Sequence, residues 1–190
     1  MLARATASPP ITWDEFVGLP DGDRRELIDG VLVEVEVPTE DHEYIVGVLC
    51  YFLWGWAFQH AGARVLASGY RVRIDDLRGV MPDAQLYVAG NPARREENGL
   101  VQGHPDLVVE VLSPSSVGVD RILKARWYGA IGTPEYWIVD PVARTVERYV
   151  LQGEKYLLAD GATGDETFTP ESLSGLEIPL ARLFPPVAPS

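Results

Sequence analysis

Asp83 and Glu110 are the two residues of this sequence best suited to bind a metal ion. Asp83 opens one strand-like segment, MPDAQLYV (81–88), and Glu110 lies toward the end of the next, PDLVVEVL (105–112). The second segment has the two-residue period of a strand and is apolar on both faces, which is typical of a covered central strand. Glu110 therefore needs a cation, a hydrogen-bond donor or a wet cleft. The alternative to a metal ligand is a carboxylate at a frayed strand end, bonded to backbone amides.

If these two neighbouring strands pair antiparallel, Asp83 and Glu110 meet at one end of the sheet beside the backbone carbonyl of Val111. We expect the two carboxylates to lie ~4–6 Å apart, the range over which charges strongly perturb each other. Two carboxylates, a carbonyl and water are hard oxygen ligands of the kind that bind Mg²⁺, or Mn²⁺ as a substitute. Such a set leaves positions open to a phosphate. The sequence therefore predicts a magnesium site formed by Asp83, Glu110 and Val111.

Lys124 is the cation that follows the strand of Glu110. Lys124 and Lys155 are the only lysines among 16 basic residues, and a compact ammonium suits contact with water or a phosphate oxygen better than a guanidinium does. The alternative is an i,i+4 ion pair with Asp120 on the same helix. We expect Lys124→Ala to remove hydrolysis with folding and metal affinity largely intact, Asp83→Ala to lose the metal as well, and Lys124→Arg to rescue little.

Glu26 and His42 are two further candidates for the same cleft. Asp29-Gly30 is a strong hairpin signal, and the implied pairing places Glu26 on the apolar side of the hairpin, together with Ile28, Val31, Val33 and Val35. The alternative for Glu26 is a salt bridge to an arginine under the sheet. His42 lies in the first turn of a helix that begins near Thr39 or Asp41 and runs to about His60, where an ordinary helix-start histidine is the alternative.

The remaining pattern predicts the elements that position these residues. Tyr44 to Phe58 is an apolar stretch that marks a helix buried in the core or shared with a partner, and a homodimer follows from the second reading. We also expect a strand at 65–75 with a bulge at Gly69, a long polar connection at 90–104, a helix at 118–131, a strand at 135–141 reached by a parallel crossover, and a hairpin at about 145–158. In the 118–131 helix the residues expected to face the core are Leu123, Trp127, Ala130 and Ile131.

Length and composition indicate one cytoplasmic domain. The 190 residues predict a single domain at 12–184 with flexible tails at 1–11 and 185–190, and the one cysteine, Cys50, fits a reducing compartment. No leader segment is visible, and the longest apolar run is too short to span a bilayer. The net charge of −12 is evidence against tight nonspecific binding of nucleic acid. Any nucleic acid would need a local patch, for which the candidates are Arg94, Arg95, Arg121 and Arg126.

Five sequence motifs together resemble a known family. Asp83 after Pro82, then Glu110, then a lysine, resembles the signature of the PD-(D/E)XK nuclease superfamily. The segments ELIDG, PD, PDLVVEVLSPS, the helix of Asp120 and Lys124, and GTPEYWIVDP resemble the Uma-type restriction endonuclease family within it, over roughly residues 12–149. The superfamily pattern places its lysine two residues after the acid, where this chain has Leu112. The Uma-type pattern moves the lysine to the helix, which Lys124 matches.

The resemblance implies a restriction-endonuclease-like core, an α/β domain with a central mixed sheet flanked by helices. It also implies that Glu26 and His42 belong to the active site, with magnesium at the carboxylate end of the sheet. The function expected is a Mg²⁺-dependent endonuclease acting on nucleic acid, DNA first. Two alternatives stay open: a nuclease-fold module for binding or assembly that has lost catalysis, which the charge of −12 favours, and a metal-dependent enzyme that acts on a small phosphate ester.

Overall fold

A central mixed sheet of six strands organises the chain. The computed structural model describes residues 9–20, 22–96, 100–113 and 118–186. The strands of this sheet, in spatial order, are β12 (Lys155–Thr163), β11 (Thr145–Gln152), β10 (Glu135–Asp140), β9 (Leu107–Val111), β6 (Ala84–Tyr87) and β3 (Arg64–Ala67). The β11–β12 hairpin turns at Gly153, as expected, but β12 extends five residues beyond the predicted end at 158.

The strand β9 lies at the centre of this sheet, and all of its residues are buried. It pairs antiparallel with β6 and parallel with β10, so the predicted antiparallel neighbour and the predicted parallel crossover are both confirmed. One face of the sheet packs against the long helix α2 (Glu40–Ala57). The other face packs against the short helix α3 (Ala125–Ala130), with Tyr128 and Tyr136 in contact.

A smaller sheet of four strands closes the face that α3 covers. Its strands, in spatial order, are β2 (Val31–Glu34), β1 (Arg25–Ile28), β5 (Arg78–Val80) and β4 (Val72–Asp75). The predicted strand at 65–75 is therefore two strands, since Gly69 has φ +88° and the chain passes from β3 in the large sheet to β4 in the small one. The predicted bulge at Gly69 is wrong for that reason.

The β1–β2 hairpin has the predicted register, but the valines of its predicted apolar side do not lie in the core. Glu26 lies opposite Val33 and Ile28 opposite Val31, as expected. Leu27 is nevertheless the fully buried residue, because the helix α1 (Trp13–Val17) packs its Trp13 and Phe16 against that side. Val31, Val33 and Val35 are exposed, so the predicted apolar side is wrong. Glu26, on the same side as these valines, is nevertheless buried.

Gly79 on β5 is required by the close approach of α1. An added Cβ would lie 2.5 Å from Cζ3 of Trp13 and 2.9 Å from Cε1 of Phe16. Both rings are buried in the core, so neither can move aside cheaply. We therefore expect Gly79→Ala to lower the free energy of unfolding by about 1–3 kcal/mol, the usual cost of overpacking.

Guanidinium denaturation checks this prediction. Gly118→Ala is the matched control, because Gly118 has φ −70° and its added Cβ would meet nothing within 4 Å. We expect that variant to unfold within ~0.5 kcal/mol of the wild type. Equal unfolding midpoints for the two variants would mean that α1 does not pack against β5 as described.

The helix α2 begins after the N-cap Thr39, as predicted, and buries only one face. Ile45, Leu49 and Leu53 are fully buried against the large sheet. Tyr51 and Phe58 lie on the opposite face and are among its exposed aromatic residues. The prediction of a buried helix therefore holds for one face of α2 only.

The predicted helix at 118–131 is π-helical in its first part. Val119–Lys124 forms a π-helical segment that leads into α3, and Ala130 is the last helical residue. The wider π turn changes the register of the side chains relative to a continuous α-helix. As a result Lys124 and Asp120 are buried, whereas Leu123 and Ala130, which were expected to face the core, are exposed. Trp127 is buried as predicted, and Ile131 is half-buried.

Shorter elements complete the fold. The predicted connection at 90–104 contains a small hairpin formed by β7 (Arg94–Arg95) and β8 (Val101–Gln102). Ile11 belongs to the predicted N-terminal tail, yet its amide donates to Gly30 O at 2.8 Å, while residues 1–8 and 187–190 lie outside the described ranges. The chain closes with β13 (Thr167–Phe168), β14 (Ile178–Pro179) and the helix α4 (Leu180–Leu183). Among the helices of the described ranges, none is long and apolar enough to cross a membrane.

Candidate active site

Lys124 stands at the centre of a buried cluster of carboxylates. Its Nζ lies 3.2 Å from Oε1 of Glu26, 3.2 Å from Oε1 of Glu110 and 3.4 Å from Oδ1 of Asp120. All four residues are at least nine-tenths buried. Burial by itself would lower the pKa of Lys124, but the carboxylates of Glu110, Glu26 and Asp120 raise it well above its usual value. Lys124 is therefore a protonated ammonium at neutral pH.

Glu110 is the more buried of the two carboxylates predicted to bind the metal. Burial in the central strand raises its pKa well above the usual range, although the nearby ammonium of Lys124 opposes this. The Tyr128 hydroxyl donates to Oε1 of Glu110 at 2.7 Å. Both Tyr128 and Lys124 thus bind the same oxygen, and Oε2 of Glu110 takes part in neither contact.

Three separate elements bring this cluster together. Glu26 comes from β1, and its Oε1 also accepts the amide of Met81 at 2.9 Å, which holds it against the segment that leads into β6. Glu110 comes from β9. Asp120 and Lys124 come from the π-helical segment, whose register turns both toward the sheet. Lys124 therefore forms the i,i+4 ion pair with Asp120 that was the alternative to an active-site role, and it also contacts Glu26 and Glu110.

Asp83 lies beside this cluster, directly before the first residue of β6. Its Oδ2 accepts the amide of Val111 at 2.8 Å and lies 3.3 Å from Nε2 of His42. The charge of Asp83 is one of those that raise the pKa of Glu110. Asp83 thus contacts the backbone amide of Val111 directly, and its charge acts on the carboxylate of Glu110.

His42 joins the same site from the first turn of α2. A hydrogen bond to Asp83 raises the pKa of His42, burial opposes this, and the backbone of Val111 adds a smaller upward contribution. The Thr39 side chain caps the helix by accepting the amide of His42 at 3.2 Å, which sets the position of the histidine. Glu26, His42, Asp83, Glu110 and Lys124 therefore all lie in one place, although they are up to 98 positions apart in the chain.

The donor set of this site fits a divalent cation. Asp83, directly before β6, and Glu110 and the Val111 carbonyl, both on β9, are hard oxygen donors. Four carboxylates face one ammonium and one imidazole, so a divalent cation would reduce the excess of negative charge. Within the described ranges no group of three or more His, Cys, Asp or Glu side chains is arranged to hold a metal. The predicted set contains only two such side chains, Asp83 and Glu110, and relies on the Val111 carbonyl and water for its other ligands.

The predicted basic patch is only partly accessible. Arg121 is bound by Glu147 at 2.6 Å and lies 3.8 Å from Asp140, so it already has partners and is a poor candidate for phosphate. Arg94 and Arg95 are exposed on the β7–β8 hairpin, and Arg126 is exposed on α3.

Tyr128 belongs to this site but was not predicted from the sequence. It lies four residues after Lys124 and eight after Asp120, so all three share one helical face. A buried tyrosine normally finds a partner for its hydroxyl, and the strand preceding this helix carries Glu110. Those two observations together would have identified Tyr128 as a partner of Glu110.

The fold places the chain in the restriction-endonuclease-like class of α/β proteins. The sequence profile of the family described as "Uma2: Putative restriction endonuclease" matches residues 13–181, and the chain belongs to that family. The resemblance seen in the sequence is thereby confirmed, as is the predicted fold class.

Two individual proteins illustrate this relationship. The chain is similar to a crystal structure of a nuclease from Anabaena variabilis, described as "putative" and "belonging to DUF820", with 26% identity and a TM-score of 0.73. That match covers 92% of this chain and 98% of the other. The chain is also 22% identical, over 151 residues, to the uncharacterized protein sll1609 of Synechocystis sp.. That alignment covers 75% of this chain and 81% of the relative.

Proposed function

We propose that this protein is a Mg²⁺-dependent endonuclease that hydrolyses phosphodiester bonds of nucleic acid, with DNA as the first substrate to test. The observation that carries the proposal is the 3.2 Å contact between the Lys124 ammonium and Glu110. Lys124 is the residue that departs from the superfamily spacing. If it did not reach Glu110, the hypothesis that the protein hydrolyses phosphodiester bonds would be much weaker. Membership of a family described as restriction endonucleases supports the same function.

Asp83, Glu110 and the Val111 carbonyl would hold the Mg²⁺ ion. When bound there, Mg²⁺ supplies polarisation of the scissile phosphate and a lower pKa for the attacking water. The expected separation of ~4–6 Å between the carboxylates of Asp83 and Glu110 remains part of this proposal.

Lys124 acts as a donor in this mechanism. Its raised pKa keeps the ammonium charged, so it donates hydrogen bonds to the attacking water or to the charge that develops on the phosphate. Glu26, which also accepts the Met81 amide, holds Lys124 in position. Glu26 therefore acts through the lysine. Tyr128 orients Glu110 through its hydroxyl.

His42 is the second cation of the site. Its raised pKa favours the protonated form beside Asp83, which suits contact with a substrate phosphate or transfer of a proton to the leaving oxygen. Arg94, Arg95 and Arg126 supply exposed positive charge for contacts with the nucleic-acid backbone. These contacts are local, because the whole chain has a net charge of −12. We also propose that the protein acts as a homodimer.

Cleavage assays test this function. We expect the purified protein to cut supercoiled plasmid or a labelled oligonucleotide with Mg²⁺ or Mn²⁺, and to stop when EDTA is added. Glu110→Gln is the matched negative control, because it removes one charge and keeps the shape of the side chain. If this variant cuts as well as the wild type, the activity is a contaminant and the proposal fails.

The substrate panel separates the two alternatives. Hydrolysis of nucleotides or of bis-p-nitrophenyl phosphate without any cleavage of polymers would favour the small phosphate ester. If no substrate is cleaved but Mn²⁺ binds, the family fold serves binding or assembly in this chain. RNA and single-stranded DNA belong in the same panel, since the family description names neither.

A further inference from the structure

The outer face of α2 carries a stripe of aromatic residues that remain largely or partly exposed among the described residues. Its aromatic members are Tyr44, Tyr51, Trp54 and Phe58, which are 44, 63, 41 and 87% exposed. These four, with the exposed glycines Gly47 and Gly55, are here called the α2 stripe. Their spacing of three and four residues is that of a helix face that packs against another helix. No residue between Tyr44 and Phe58 is charged, although the whole chain has a charge of −12.

The α2 stripe has the same pattern in both directions around Tyr51. Gly47 and Gly55 lie four residues on either side of Tyr51, and Tyr44 and Phe58 lie seven on either side. In an antiparallel pair of α2 helices with Tyr51 at the centre, each glycine therefore faces a glycine, and each end aromatic faces an end aromatic. A surface that complements itself in this way is what a two-fold symmetric interface requires.

The glycines allow the two helices to approach closely. A Cβ added at Gly47 or Gly55 would meet nothing within 4 Å in the isolated chain, so packing inside one chain does not require glycine at either position. Glycine inside a helix costs roughly 0.5–1 kcal/mol relative to alanine. Close packing of a second helix at these positions would explain why glycine is present despite this cost.

Two rings of the α2 stripe are held in place by hydrogen bonds of their polar ends. The Trp54 Nε1–H donates to Val65 O at 3.2 Å, and the Tyr44 hydroxyl donates to Arg182 O at 3.5 Å. Rings that are already ordered lose little side-chain entropy when they are covered. Covering the rings of Trp54 and Tyr44 with a partner would therefore cost little additional side-chain entropy.

The area of the α2 stripe is close to what a stable dimer needs. With ~200 Å² for a whole aromatic side chain, the exposed fractions of the four aromatic residues amount to about 470 Å² per chain. Two copies would bury about 900 Å² from these side chains alone, and the surrounding surface would raise this above the ~1,000 Å² expected of a biological interface.

We propose that the chain forms a homodimer in which two α2 helices pack antiparallel about a two-fold axis through Tyr51. This interface deepens the homodimer proposed above by naming the surface that forms it, and it does not depend on the nuclease activity. Because His42 lies nine residues before Tyr51, the two candidate sites would lie at opposite ends of the interface, ~27 Å apart along the helices.

A charge placed on the axis tests the interface. We expect the wild type to have twice the mass of one chain by light scattering or sedimentation at ~50 μM, a concentration suited to an interface at the low end of the size range. Tyr51→Glu puts two like charges on the axis, so we expect it to dimerise at least tenfold more weakly. Leu158→Glu is the matched control, since Leu158 lies on β12 with a similar exposure of 60%, and we expect it to remain a dimer.

Engineered cysteines test the orientation of the helices. Tyr51→Cys on the axis would meet its own copy and form a disulfide on oxidation. Tyr44→Cys alone and Phe58→Cys alone would not, because each pair of equivalent Cα atoms would be ~21 Å apart, against the ~7 Å that a disulfide allows. A mixture of the last two proteins would cross-link. Cys50 is buried, so the wild type gives no cross-link in the folded state.

Several results would overturn this proposal. If the wild type is monomeric at ~50 μM, the α2 stripe does not form a homodimer, and any partner of this surface would be a different protein. A dimer in which Tyr51→Glu and Leu158→Glu behave alike would place the interface elsewhere. Cross-linking of Tyr44→Cys with itself would mean that the helices pack in parallel.

Discussion

Replacing Lys124 with alanine is expected to abolish cleavage of nucleic acid and to lower the free energy of unfolding by about 3–5 kcal/mol. Cleavage is lost because the ammonium is the donor for water or phosphate, and removing one such donor lowers kcat on the order of 10²–10³-fold. Stability is lost because Glu26, Glu110 and Asp120 would remain buried together without their shared cation. Folding would therefore suffer more than the sequence alone had suggested.

Two further variants separate these effects. Lys124→Ala combined with Glu26→Gln removes one of the stranded carboxylates, so we expect it to recover part of the lost stability and none of the cleavage. Lys124→Arg keeps the charge, but a planar fork replaces a point charge at the water, so it should fold better than alanine and cut little. Lys155→Ala, at the other lysine of the chain, is the control for the loss of one cation.

The measurement pairs a cleavage rate with urea denaturation and calorimetric titration of Mn²⁺ for each variant. We expect the Lys124→Ala protein still to bind Mn²⁺ when the titration is carried out below its unfolding temperature. If Lys124→Ala cuts at the rate of the wild type, Lys124 serves only to neutralise the buried carboxylates, and the proposed mechanism is wrong.

Replacing Asp83 with alanine is expected to remove both metal binding and cleavage. Asp83 is a proposed metal ligand, and its Oδ2 also accepts a hydrogen bond from the Val111 amide. The variant would therefore lose one ligand and leave the Val111 amide unpaired next to the Val111 carbonyl, which is another proposed ligand. We expect no Mn²⁺ heat in calorimetry and a cleavage rate at least ~10²-fold lower. An unpaired buried amide would also cost about 1–3 kcal/mol of stability.

The contrast with Lys124→Ala makes this prediction specific. Lys124→Ala should keep Mn²⁺ and Asp83→Ala should lose it, although both stop cleavage. Asp165→Ala, at an exposed residue, controls for the loss of one carboxylate from an acidic protein. If Asp83→Ala binds Mn²⁺ with the affinity of the wild type, the metal site does not include Asp83.

The sequence by itself determined the elements whose formation is local. Thr12 with Glu15, and Thr39, mark the starts of α1 and α2 through side-chain caps that need only a few neighbouring residues. Asp29-Gly30 determines the register of the first hairpin, because both residues adopt positive φ. The apolar run around Glu110 identifies the central strand, and the tendency of sequential strands to pair brings Asp83 next to it. The main acids of the site follow from these local signals.

The tertiary structure decided which faces are covered and where Lys124 points. Leu27 and the valines of the β1–β2 hairpin are equally apolar, and only the docking of α1 selects the Leu27 side. The π-helical turn has no signature in the sequence, because its register depends on the packing of Tyr128 and the burial of Asp120 and Lys124 among distant carboxylates. The pairing of Arg121 with Glu147 joins residues 26 positions apart. Each of these outcomes depends on a contact between distant segments, which no local pattern of residues encodes.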